Sequence, residues 1–97
     1  MTVAQMITFT TDHPDDIERI RERWESRTDG DRTATKIAVY KVADRDEYVQ
    51  LVEFPDREAA QRNSELEATD EWSRQMREAV GDLDYVDLEL IDEIDES

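Results

Sequence analysis

Four stretches of this chain are rich in strand-forming residues, and in each the apolar side chains occupy both alternating positions. Residues 3–10 set Val3, Ile7 and Phe9 on one side and Ala4 and Met6 on the other, because successive side chains of a strand point to opposite faces. Residues 34–43 set Ile37 and Val39 against Ala38, Tyr40 and Val42, and residues 47–54 set Val49 and Leu51 against Tyr48, Val52 and Phe54. Residues 83–91 set Val86, Leu88 and Leu90 against Leu83, Tyr85 and Ile91. A sheet made of these strands has no polar face to give to water. Both sides must be covered, which limits the folds open to a chain of 97 residues.

The segments between the strands read as helices. Asp12 or His13 can cap the first, Pro14 suits its first turn, and Asp15 and Asp16 complement the positive end of its dipole. Ile17, Ile20 and Trp24 then fall on one stripe at spacings of three and four. The segment around Asp29-Gly30-Asp31 ends this helix. Two apolar runs separated by Asp44-Arg45-Asp46 form a hairpin. Pro55 stops the third strand and Asp56 can cap a second helical region, which is soft at Asn63-Ser64 and restarts from a cap at Ser64 or Thr69. Its last part aligns Trp72, Met76, Ala79 and Val80, and Gly81 is expected to close it as a left-handed residue. The order β-α-β-β-α-β predicts an α+β, ferredoxin-like fold: a four-stranded antiparallel sheet with its helices on one face. Residues 1–91 form one domain and 92–97 an acidic C-terminal tail.

Two helices cover only one face of such a sheet. A second copy related by a two-fold axis is the simplest cover for the other, so a homodimer with its sheets face to face is expected.

The chain carries 27 acidic and 12 basic side chains, a formal charge of −15. That balance disfavours nucleic acid and anionic membranes, because both are bound through Lys and Arg. The acidity reads first as halophilic adaptation, a surface solvated for a high-salt cytoplasm, and second as a face for a basic partner. The absence of cysteine removes disulfides, thiolate metal sites and a thiol nucleophile. No basic region precedes an apolar one in Met1–Gln5, and no run approaches the roughly 20 apolar residues of a membrane span, so the expected location is cytoplasmic. The single histidine, His13, suits a helix cap and has no visible nucleophile to pair with. Asp29/Asp31 and Asp44/Asp46 have turn chemistry and lack a calcium-loop pattern, so no metal or other cofactor is expected. Gln5 interrupts the apolar face of Val3, Ile7 and Phe9, where a buried amide needs a partner: backbone, a second subunit, water or a ligand. Trp72 and Met76, one helical turn apart, read first as core and second as the wall of a pocket for a flat apolar or aromatic ligand.

Three features together resemble the dimeric α+β barrel superfamily, in particular the small single-domain proteins grouped with antibiotic biosynthesis monooxygenases. They are the first strand leading into Asp12-His13-Pro14-Asp15-Asp16, the run Val52-Glu53-Phe54-Pro55-Asp56-Arg57-Glu58-Ala59-Ala60, and the Asn63-Ser64 break before a helix containing Trp72. The resemblance spans about residues 3–91. It implies a homodimer and either a small-ligand-binding protein or a cofactor-independent oxygenase of quinol-like aromatics. In the latter, Asn63, Trp72 and a tyrosine such as Tyr48 would orient the substrate, whose own carbanion reduces oxygen. Haem-using relatives depend on a pocket histidine, which the position of His13 does not match.

Overall fold

The computed structural model describes residues 1–95, so the last two residues of the expected tail, 96–97, lie outside the described residues. The elements follow in the order β1 (Val3–Thr10), α1 (Pro14–Arg27), β2 (Lys36–Lys41), β3 (Glu47–Phe54), α2 (Arg57–Ser64), α3 (Glu67–Ala79) and β4 (Gly81–Glu89). The strands make one antiparallel sheet in the order β2-β3-β1-β4, with the helices on one face. This is the ferredoxin-like arrangement, with the second helical region divided in two.

Register fixes what each face carries. Ile7 lies opposite Gln50 and Tyr85, Gln5 opposite Val52 and Asp87, and Phe9 opposite Tyr48. Beneath the helices, Ile7, Phe9, Ile17, Trp24, Trp72 and Met76 form the main buried cluster, and Val3, Val52, Phe54 and Ala59 a second one under α2. Phe9 stacks on Tyr48 with ring centroids 5.6 Å apart and planes inclined by 12°.

The helix ends show local chemistry at work. Asp56 accepts a hydrogen bond from the Ala59 N–H at 2.7 Å and so caps α2. At α1 the N-cap position is His13, but its side chain does not cap; the His13 N–H donates to Thr11 Oγ1 instead, at 3.0 Å. The restart at α3 differs from expectation, because Leu66 takes the N-cap position and neither Ser64 nor Thr69 caps. Both hydroxyls are engaged elsewhere: Ser64 donates to the Gln61 carbonyl at 2.8 Å, and Thr69 accepts the Trp24 indole N–H at 2.9 Å.

Two strands differ at their ends from the expected limits. β2 is shorter than 34–43, although Thr35 and Val42 each still donate one backbone hydrogen bond to β3, to Glu53 and Glu47. β4 begins and ends two residues earlier than expected. Gly81 does not close α3 in a left-handed conformation; it pairs with Thr10, and the left-handed residue is Asp82, with φ 47°. The register of β4 against β1 shifts between Thr8 and Thr10, so an extra residue is accommodated there as a bulge. A side chain at position 81 would meet Thr10 Oγ1 at 3.0 Å, which explains glycine at this close approach.

Two substitutions test this description by urea denaturation. Asp56→Ala removes the α2 cap and is expected to lower stability by about 1 kcal/mol. Phe9→Ala empties a site that is 1% exposed and is expected to cost roughly 3–5 kcal/mol.

Candidate functional site

A cleft runs between the sheet and the α2–α3 corner, in three adjoining hollows. The outer one, about 590 Å³, lies between α2 and the β1/β4 side of the sheet and is lined by Gln5, Arg57, Ala60, Asp87 and Glu89 among others. A middle hollow of about 60 Å³ shares Gln5, Ala60, Ser64 and Asp87 with it and adds Phe54, Asn63 and Thr69. The innermost, about 30 Å³, is walled by Trp24, Trp72, Ile7, Val52 and Phe54, with Gln5, Gln50, Asn63 and Thr69 as its polar members. Gln5 lines all three.

Each polar member reaches the cleft for a local reason. Gln5 follows from the inward parity of β1, and Gln50 from the same parity of β3. Asn63 sits near the C-terminal end of α2, where the chain turns into α3, and is 6% exposed. Its Oδ1 has no hydrogen-bond partner and is the one buried side-chain polar atom so left among the described residues. An unpartnered buried polar atom costs about 1–3 kcal/mol, so Asn63 is the one residue of the cleft lining whose side chain carries an unmet bonding demand among the described residues. Thr69 Oγ1 is fixed by the Trp24 indole, which in turn holds α1 to α3. Arg57 is ion-paired with Glu89, a link from the start of α2 to the end of β4 across the outer hollow.

The sequence-derived candidates divide accordingly. Gln5, Asn63 and Trp72 come together in the innermost hollow. Met76 is fully buried within the core and lines none of the three hollows. Tyr48 stacks on Phe9 and also stays outside them. His13 is exposed beside Asp12, at 3.3 Å, and takes no part. Among the described residues no three His, Asp or Glu side chains gather closely enough to hold a metal ion.

Other cleft residues were not singled out from the sequence. Gln50 interrupts Tyr48, Val52 and Phe54 as Gln5 interrupts β1, so strand parity could have found it. Asp87 alternates with Leu83 and Tyr85 on the inward side of β4, and the same parity would have placed it. Trp24 reads as core from its stripe, and is core, yet it also walls the cleft. The Asn63-Ser64 break announces the turn after α2, but nothing in the spacing places Asn63 beside Trp24.

The opposite face of the sheet carries Ala4, Ala38, Tyr40, Leu51, Leu88 and Leu90, which line a groove of about 340 Å³. Tyr40, Val86, Leu88 and Leu90 are 54%, 43%, 36% and 41% exposed there, so this apolar face has no cover within the chain.

Comparison with solved structures gives matches over almost the entire chain. SnoaB, a cofactor-independent oxygenase from Streptomyces nogalater, superposes with a TM-score of 0.85 in a mutant form and 0.82 in a second structure. Both alignments are 15% identical and cover 98% of each chain. This chain shares its ferredoxin-like α+β fold with these proteins. Rv0793 from Mycobacterium tuberculosis aligns with the same fold at a TM-score of 0.74 and 19% identity, over 98% of this chain and 100% of its own. An antibiotic biosynthesis monooxygenase aligns at 0.74 and 14% identity, over 95% and 100%. No protein-family model matches the sequence, and no curated protein matches it. Among the described residues no helix is long and apolar enough to cross a membrane.

Asn63→Leu replaces the orphaned amide by an apolar group beside open space. It is expected to raise stability by about 1 kcal/mol or more in urea denaturation. A fall in stability would mean that the Asn63 amide serves the fold and not the cleft.

Proposed function

We propose that this protein is a homodimer whose cleft binds a flat apolar or aromatic small molecule. One observation carries the ligand: Asn63, a buried amide whose Oδ1 has no partner, lines a hollow walled by Trp24, Trp72 and Phe54. Aromatic walls contribute area for a planar ring, and a few polar groups fix its orientation. The described pouch is narrow at its inner end and roomy at its mouth, so a ring enters from the α2–β4 side with one edge directed at Asn63.

A cofactor-independent oxygenation of an electron-rich, quinol-like substrate is the second reading. It is favoured by the likeness to SnoaB, named as such an oxygenase. In this reading Asn63 and Trp72 hold the ring while the substrate supplies the electrons that reduce oxygen. Tyr48 has no part in it, because its ring lies against Phe9 outside the cleft.

The homodimer rests on the uncovered apolar face. A second copy would close the groove along Leu51, Leu88 and Leu90, and a stable interface needs about 800 Å² from each partner. Leu88→Arg places a charge in that interface and is expected to yield a monomer. A monomeric mass for the unaltered protein at micromolar concentration would overturn this part.

Native mass spectrometry is expected to find a small molecule retained by the purified protein or added to it. Oxygen uptake with a naphthalene-1,4-diol separates the two readings. Under the oxygenase reading Trp72→Phe or Asn63→Ala lowers kcat by about 100-fold, the scale on which mispositioning acts. Binding without oxygen uptake leaves a ligand-binding protein. Uptake unchanged in both variants removes those residues from the chemistry.

A further inference from the structure

We propose that Asp87 makes this cleft charge-selective, so that it admits aromatic ligands bearing a hydrogen-bond donor and rejects those bearing a carboxylate. The inference rests on the ligand-binding reading above and specifies the chemical class that the site takes. Among the residues lining the three hollows there is one cation, Arg57, and there are two anions, Asp87 and Glu89. Arg57 is spent on Glu89. Asp87 forms no ion pair among the described residues and lines both the outer and the middle hollow, next to Gln5 and on the way to Asn63.

The polar path into the cleft therefore carries one uncompensated negative charge, Asp87, beside the neutral amides of Gln5 and Asn63. A phenolic hydroxyl or an ammonium group can donate to this carboxylate; an anionic ligand gains nothing from it and meets its repulsion, which salt screens because Asp87 is exposed. The position of Asp87 is fixed by strand register: it lies opposite Gln5 on β1, two residues from Glu89 on the same face of β4. Because Asp87 is exposed at the sheet edge, its replacement is expected to leave the fold intact.

The test is isothermal titration calorimetry of the full-length protein with three probes of one ring size: 2-naphthol, 2-naphthylmethylammonium and 2-naphthoate. The naphthol and the ammonium are expected to bind about tenfold or more tightly than the naphthoate, a ratio that shrinks with added salt. Asp87→Asn is expected to bring that ratio close to one by strengthening naphthoate binding, Asp87→Glu to preserve it, and Asp44→Asn to leave it unchanged. The last removes the same charge from a residue that lines none of the hollows and so controls for the net charge of the molecule. Equal affinities for naphthol and naphthoate in the unaltered protein overturn the inference, as does an Asp44→Asn effect equal to that of Asp87→Asn. Those results leave the aromatic ligand standing. Failure of all three probes to bind overturns the ligand reading and the inference with it.

Discussion

The double pairing of β1 is the constraint on which the other features depend. It is hydrogen-bonded to β3 on one side and β4 on the other, so its register sets the register of both neighbours. One parity of this strand delivers Val3, Ile7 and Phe9 to the core, and the same parity carries Gln5 into the cleft. A slip of one residue would exchange the two faces of the sheet. It would bury Ala4 and Met6 beneath the helices and turn the core residues outward. The site and the core are thus specified by one strand, and neither can be shifted independently of the other.

Packing is least complete at the α2–α3 corner. Trp24, Thr69 and Trp72 lock α1 to α3 through a hydrogen bond and packing, while α2 lies over the sheet chiefly through Ala59 and its ion pair to β4. Small residues on α2 allow the backbone to approach the sheet, but they do not fill the space beside it. The cleft is what remains. An aliphatic side chain at position 63 would close part of that space and remove an unsatisfied amide, so the asparagine adds less to the stability of the fold than an apolar residue would.

Most of the architecture was legible because strand parity and helix stripes are local signals. Spacing alone puts Val3, Ile7 and Phe9 on one face and Ile17, Ile20 and Trp24 on one stripe, and both sets are in the core or against it. Helix ends were harder. The hydroxyls of Ser64 and Thr69 look like caps in the sequence, but each is taken by a partner that only the folded chain supplies. Gly81 looks like a helix stop; the close approach of Thr10 and the bulge at Asp82 draw it into β4 instead. The cleft was half legible. Gln5 declares itself as a polar residue on an apolar face, whereas the placing of Asn63 beside Trp24 in one hollow and beside Asp87 in the next depends on how three elements pack and has no expression in spacing.

The arrangement of the tryptophans has an optical consequence. The chain contains two, and both wall the same innermost hollow. Trp24 is further held by Thr69 at its indole nitrogen and covered by the Arg32 guanidinium 5.5 Å from its ring centre. No tryptophan elsewhere dilutes the signal, so the intrinsic emission of the whole protein originates beside the cleft. A molecule seated in that hollow would change the surroundings of both indoles at once, and the protein's own fluorescence would then serve as a gauge of occupancy that needs no attached dye.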